Sequence, residues 1–418
     1  MPTLVYNWSM PKPALPVDPI PRRLQSVAQA RLDSFPALTI TGPRQSGKTT
    51  LSRLLQPTAN YFSLEDPDVR AYALEDPRGF LGGLGDGAIL DEVQRVPTLL
   101  SYLQGVIDED PSPGRFILTG SNQFELLESV TQSLAGRTGL LTLQPFALGE
   151  LQAAGRAPET LAELLQQGLF PPIHDRPVPA EIWLQDYVAT YVERDVRMLL
   201  NIRDTAAFLR FVGLCAGRCG QLLNIVSLAE DTGINRATAQ SWLSVLQASH
   251  LIILIQPWSS NLSKRLIKSP KLYFVDSGLA AWLLGIRDAS QVTTHPHRGA
   301  LFENWAIMEL IKAQCNAGQK PSVHFLRDKQ GHEIDAVIEP RPGELLGIEL
   351  KSGATVNSDF FTGLDYWRER LTSMKLHPWL VHGGDVHQRR KRGHVLPWND
   401  LDPLLADVVA RKRATDLH

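Results

Sequence analysis

Three cysteines in 418 residues, Cys215, Cys219 and Cys315, are too few for a disulfide framework and indicate a reducing compartment. Cys215 and Cys219 share a helical spacing, but no second ligand pair lies nearby, so they read as core packing rather than a zinc site. Long apolar runs are also missing. No stretch approaches a membrane span, and Met1 to Trp8 lacks a charged start followed by an apolar core, so the expectation is a cytoplasmic protein with no membrane partner. Charge of one sign does not accumulate either. A net charge of -2 excludes bulk attraction to nucleic acid or anionic lipid and confines any such binding to local basic patches.

The length excludes a single core and predicts roughly two to four domains. Residues 1–22 carry Pro11, Pro13, Pro16, Pro19 and Pro21, a spacing that resists helix and suits an extended arm. Beyond it, the apolar run Ala37-Leu38-Thr39-Ile40 leads into Gly42-Pro43-Arg44-Gln45-Ser46-Gly47-Lys48-Thr49-Thr50, a G-x-x-x-x-G-K-T phosphate loop. The glycines let backbone N–H groups curl around phosphates, Lys48 reaches the β and γ phosphates, and the Thr49 hydroxyl is a ligand for Mg²⁺. Helix-forming residues from Leu51 onward place the phosphates on a helix N-terminus. The cofactors expected are therefore ATP and Mg²⁺.

A second apolar strand, Gly87 to Leu90, ends in Asp91-Glu92. Asp91 is the expected Mg²⁺ partner and Glu92 the expected general base toward water. A third, Phe116-Ile117-Leu118, ends in Thr119-Gly120-Ser121-Asn122, where Ser121 or Asn122 is positioned to sense the γ-phosphate, with an ordinary turn as the alternative. Arg137, after Gly136, is a candidate arginine finger, although a surface arginine would look the same.

Gly42 to Thr49, Tyr61 to Pro67, Leu90 to Gln94, Leu118 to Ser121, Leu134 to Arg137 and Tyr191 to Asp195 together resemble a bacterial and archaeal family of AAA-type ATP-binding proteins. In that family an N-terminal P-loop domain is joined to a C-terminal restriction-endonuclease-like domain. The resemblance implies an α/β fold and ATP hydrolysis. It also implies kinship with ring-forming DNA-remodelling motors, hence a homo-oligomer with a hexameric ring as one form. Arg194 is read either as a sensor arginine or as part of an ion pair.

From Leu222 the pattern is helix, tight turn at Gly233, then a second helix capped by Asn235, followed by the strand Leu251 to Ile255 and a basic hairpin. Ala239, Leu243 and Leu246 form a core stripe, leaving Arg236, Thr238, Gln240 and Ser241 outward. No acid occurs between Gly233 and Val275, whereas Arg236, Lys264, Arg265, Lys268 and Lys271 do. That one-sided charge predicts a winged helix touching the backbone of duplex or branched DNA, against the alternative of an oligomer contact or a lid on the ATPase.

Downstream, Asp335 and Glu349-x-Lys351 have the D…E-x-K form of the restriction-endonuclease-like superfamily. Residues two apart on a strand face the same way, so Glu349 and Lys351 point together. Asp335 and Glu349 are the candidate metal pair, Lys351 the candidate charge stabiliser, and Glu303 a further ligand. Cleavage and binding both fit this pattern. Arg389-Arg390-Lys391-Arg392 is a second basic run that could track phosphate.

The organisation expected is therefore an arm over 1–22, an AAA-type ATPase domain over 23–170, connector helices over 171–208, a winged helix over 209–290 and a restriction-endonuclease-like domain over 291–418. The leading functional expectation is a Mg²⁺-dependent ATPase that remodels DNA, with Holliday junctions among the substrates by analogy. The alternatives are a nucleotide-switched regulatory or defence protein and a metal-dependent endonuclease.

Overall fold

The structure, a computed structural model, describes residues 15–121, 130, 132–176, 178–196, 204–258 and 268–410, the side chains of 193–195 excepted. Asn122, Lys264, Arg265 and the Arg194 side chain thus lie outside the described residues. The chain divides into two compact units. One holds the residues up to Phe146 with Ala248–His250 and Cys315–Gly318, and the other holds the remainder.

The first unit is built on five parallel strands, β1 (Ala37–Thr41), β2 (Asn60–Ser63), β3 (Ala88–Asp91), β4 (Phe116–Gly120) and β5 (Thr138–Thr142), in the order β2-β3-β4-β1-β5. A strand buried on both faces sends alternate residues into two cores, which explains its unbroken apolar sequence. Ala37, Phe62, Ala88, Leu90, Phe116 and Leu118 pack on one side with Leu99, Leu103 and Ile107 of the helix Leu99–Glu109. Leu38, Ile40, Tyr61, Ile89 and Ile117 pack on the other with Ala28, Leu32 and Leu51, from the helices Gln25–Leu32 and Lys48–Leu55. The carboxyl ends of β1, β3 and β4 neighbour one another, so the loops that follow them converge at one edge.

In the second unit, the helices Thr205–Ala216, Ile225–Thr232 and Arg236–Ala248 precede an antiparallel pair, β6 (Ile252–Ile255) and β7 (Lys271–Phe274). Gly233 ends the middle helix at φ 82°, where a side chain would be strained, and Asn235 Oδ1 accepts the Thr238 N–H at 2.8 Å to start the next. Ala239, Leu243 and Leu246 are buried while Arg236, Gln240 and Ser241 are exposed.

The same unit carries a six-stranded mixed sheet: β8 (His324–Arg327), β9 (Glu333–Arg341), β10 (Glu344–Lys351), β11 (Lys375–His382), β12 (Gln388–Arg390) and β13 (Gly393–Pro397), in the order β12-β13-β11-β10-β9-β8. β8, β9 and β10 run antiparallel, whereas β10, β11 and β13 run parallel. Leu364 and Trp367 of the helix Thr362–Arg370 pack with Leu345, Leu376, Leu380 and Val395 in one core.

Candidate active site

The loop after β1 makes its turn through left-handed backbone at Gln45 (φ 67°) and Gly47 (φ 93°), directly before the helix that begins at Lys48. At Gly42 (φ 143°) a Cβ would lie 2.1 Å from the Leu143 carbonyl oxygen, so only glycine fits. Arg22 braces the loop from behind, donating to the Ser46 carbonyl at 2.8 Å. Lys48 Nζ donates to the carbonyls of Gly42 (3.0 Å) and Pro43 (2.9 Å). Burial pulls the Lys48 ammonium below its ordinary range, with Glu92 and Asp91 acting in the opposite sense. A buried cation whose hydrogen bonds among the described residues go to two carbonyls is poised to take an anion in their place.

Beneath the loop Asp91 gathers three hydroxyls. Thr49 Oγ1 and Tyr61 Oη each donate to Oδ2 at 2.7 Å, and Thr119 donates to Oδ1. The Thr49–Asp91 bond fits a hydrated Mg²⁺, because it brings together a hydroxyl and a carboxylate, both oxygen donors that a hard cation takes. Burial and the neighbouring Asp91 charge push the Tyr61 phenol far up, so it stays a donor.

Glu92 also adopts left-handed backbone (φ 58°), uncommon for this residue type, and its N–H donates to Thr119 Oγ1 at 3.3 Å. The carboxylate Oε2 of Glu92 accepts from Ser121 Oγ at 2.8 Å and from the Gln94 amide. Burial raises the Glu92 carboxyl, but the Lys48 charge with the Gln94 and Ser121 hydrogen bonds outweighs it and holds the group below its ordinary value. An ionised carboxylate beside the phosphate loop is the state a base requires. The Ser46 hydroxyl and the Gln94 carbonyl are buried without a partner.

Thr49, Asp91, Glu92, Lys48 and Ser121 are therefore assembled at one edge, and Thr50 follows on the same helix. Arg44 pairs with Glu65 at 3.0 Å. Arg137 does not point into this cluster; its fork grips Asp108, at 2.5 and 2.9 Å. Two neighbours escaped the sequence reading. Tyr61 sits on β2, beside β3; it opens the Tyr61 to Pro67 stretch of the family resemblance, which gave it no role. His250 belongs to this unit although it lies far along the chain; it is buried at φ 52° with Nε2 unpartnered, and burial, with Lys48 adding to it, holds the imidazole at about 3.

In the second unit the D…E-x-K residues meet. Lys351 Nζ donates to Glu349 Oε1 at 2.6 Å and lies 3.8 Å from Asp335 Oδ2, which accepts the Leu350 N–H at 2.8 Å. Glu349 Oε2 is buried with no partner, and burial, then the Asp335 charge, push this carboxyl up to about 8 against the pull of Lys351.

Lys271, expected on a DNA-binding wing, is the first residue of β7, and its side chain is 4% exposed. Its ammonium lies 2.8 Å from Glu303 Oε1 and also contacts Glu333. Tyr273 donates to Glu303 at 2.6 Å, and Asn304 fixes the strand through the N–H (2.7 Å) and carbonyl (3.0 Å) of Phe274. The charge of Lys271 is thus neutralised inside the protein, and Glu303 serves as its counter-ion. Arg236 and Lys268 are exposed. Among the described residues no three His, Cys, Asp or Glu side chains form a group that could hold a metal ion. The three cysteines are buried and free, and burial pushes the thiols of Cys219 and Cys315 up to about 12. No helix among the described residues is long and apolar enough to cross a membrane.

Against this geometry, residues 34–152 match the model of an AAA domain. Residues 158–290 and 298–401 match two domains of unknown function, DUF8612 and DUF4143. An uncharacterized protein of Mycobacterium tuberculosis is 33% identical over 328 residues, covering 78% of this chain and 72% of that protein, and an uncharacterized protein of Mycobacterium bovis matches to the same extent. This chain belongs to the family of these mycobacterial proteins. In this chain the phosphate loop and the Asp91-Glu92 strand end fall inside the AAA-domain match, whereas the D…E-x-K residues fall inside the DUF4143 match. Among solved structures, a Walker-type ATPase of Pyrococcus abyssi is 15% identical, with TM-score 0.37, over 64% of this chain and 98% of that one. DnaA of Aquifex aeolicus bound to AMPPCP is 15% identical, with TM-score 0.28, over 54% and 86%.

Proposed function

We propose that this chain is a Mg²⁺-dependent ATPase that acts on DNA as a homo-oligomer. The observation that carries the reading is the convergence of Lys48, Thr49, Asp91, Glu92 and Ser121, with Thr49 Oγ1 2.7 Å from the Asp91 carboxylate. In this reading Lys48 exchanges its two carbonyl partners for β and γ phosphate oxygens. Glu92, kept ionised, takes the proton of the attacking water, while Ser121 and Gln94 hold its carboxylate in place. Mg²⁺, held by Thr49 and Asp91, supplies charge neutralisation on the phosphates when bound. Exposed Arg236 and Lys268, in a stretch free of acids, support backbone contact with DNA. Arg137 serves as a finger only if it leaves Asp108 for the site of a neighbouring subunit.

The test is steady-state ATP turnover with and without duplex, forked and four-way DNA. Lys48→Ala should lose nucleotide binding, and Glu92→Gln should bind nucleotide while losing about 10²–10⁴ in turnover. Turnover that ignores every DNA would remove DNA from the reading and leave a nucleotide switch.

One observation favours a second activity. The buried, unpartnered Oε2 of Glu349 beside Asp335 and Lys351 supports a metal-dependent nuclease site. Incubating labelled DNA with Mn²⁺ and comparing wild type with Asp335→Ala decides it: products that require Asp335 support the activity, and their absence excludes it.

A further inference from the structure

The basic run 389–392 is not absorbed by either site. β12 ends at Arg390, the chain turns through Lys391 and Arg392, and β13 returns antiparallel, with Arg390 opposite Gly393. Beside this hairpin is an open cleft of about 350 Å³, walled by Arg368, Arg389, Arg390, Lys391, Arg392 and Trp379, among others. Asp407 is the one carboxylate among the described residues that line it.

Not all of this charge is available. Asp365 takes Arg392 and, at 3.1 Å, Arg368, while Arg390 leans on the Gln388 side chain at 2.8 Å. Arg389 and Lys391, both exposed, have no side-chain partner among the described residues. Like charges crowded on one short turn repel one another, and an anion in the cleft removes that repulsion. A second observation also calls for a ligand. Trp379, only 5% exposed, stacks on His394 with ring centroids 4.4 Å apart, and its indole N–H is buried without an acceptor. A buried donor left unpaired is costly, and Trp379 is among the residues that line this cationic cleft.

The cleft is separate from the D…E-x-K residues. On β11, Trp379 registers with Ile348, whereas Glu349 and Lys351 register with Leu380 and His382. Registered neighbours face the same way and adjacent residues face opposite ways, so Trp379 is on the other side of the sheet from Glu349 and Lys351.

We infer that this cleft binds the phosphodiester backbone of nucleic acid, with Arg389 and Lys391 on successive phosphates and the Trp379 indole donating to a phosphate oxygen. This rests on the reading that the chain acts on DNA, and it assigns part of that contact to a surface outside the winged helix. Backbone contact releases counterions, so each contact appears in the slope of log affinity against log salt.

The experiment uses the full chain and a labelled duplex oligonucleotide, with affinity measured across a salt series. Arg389→Ala/Lys391→Ala should weaken binding about tenfold and flatten the salt slope by about 1.8, two contacts at about 0.9 each. Both residues are exposed, so the fold should be unaffected. A control, Lys320→Ala/Lys329→Ala, removes the same charge from exposed positions of the same unit outside the cleft and should change neither quantity appreciably. If the two double variants weaken binding equally, or the cleft variant leaves the slope unchanged, the site is refuted while the reading of DNA action stands. Tripolyphosphate competing as well as the oligonucleotide at equal phosphate concentration would overturn the assignment to a nucleic-acid backbone. If no variant and no wild type binds DNA at any salt, both fall together.

Discussion

Replacing Lys271 by methionine keeps most of the side-chain volume and deletes one buried positive charge. The ammonium is 4% exposed and is shared by Glu303 and Glu333, so its loss leaves two mostly buried acids without their common counter-ion. Removing one partner of a buried pair typically costs about 3–5 kcal/mol. Here each acid keeps one other partner: Tyr273 remains 2.6 Å from Glu303, and Arg327 remains 2.6 Å from Glu333. That places the expected loss at the lower end, about 3 kcal/mol, or about 6–12 °C in thermal midpoint at about 2–4 °C per kcal/mol. The pH dependence identifies the cause. Burial already raises the Glu303 carboxyl above its ordinary value, with Asp335 pushing the same way and Lys271 opposing both. Without Lys271 the rise is larger, and a carboxyl whose folded value exceeds its unfolded one stabilises at low pH and loses that contribution as pH rises. The variant should therefore recover part of its deficit between pH 7 and pH 5, as followed by scanning calorimetry. A midpoint within about 2 °C of wild type at pH 7, or a deficit that does not shrink on acidification, would refute a buried counter-ion role.

Gly42→Ala should place a methyl group 2.1 Å from the Leu143 carbonyl oxygen at φ 143°, costing about 1–3 kcal/mol and displacing the phosphate loop; calorimetry and ATP titration would register both effects. His250 is held at about 3 against an ordinary value of 6.5, so its folded value is depressed and its contribution is complete above pH 6.5 and lost as pH falls toward 3. Unfolding free energy should fall by about 1.4 kcal/mol per pH unit from this group alone, and His250→Gln should remove that slope. Arg137→Ala should leave ATP binding intact, because its guanidinium holds Asp108 rather than the phosphate loop. A loss of turnover that reappears on mixing with a Glu92→Gln subunit would place Arg137 in a neighbour's site.

The clustering of the phosphate-loop residues with Asp91 and Glu92 was legible because the pattern is local. A loop that must run through left-handed backbone calls for Gly42 and Gly47, and a strand ending in Asp91-Glu92 brings its carboxylates to the sheet edge. The partners of Asp91 were less visible, since Tyr61 and Thr119 reach it only through the strand order β2-β3-β4. The basic wing shows the opposite case. Lys268 and Lys271 look alike in sequence, yet Lys268 is exposed and Lys271 starts a strand whose neighbours, Glu303 and Glu333, lie far along the chain. A charge run reports composition, not which side chains find a carboxylate. Arg137 illustrates the same limit, because its Asp108 partner is non-local.

Asp91, Glu92 and the phosphate loop are proposed to form an ATP-hydrolysing site coupled to DNA. The most direct measurement is ATP turnover by the full chain in Mg²⁺, with and without four-way DNA, for wild type and Glu92→Gln. Turnover should depend on Mg²⁺, rise with DNA and be lost in Glu92→Gln while ATP binding persists. Turnover that is unaffected by Glu92→Gln would contradict it.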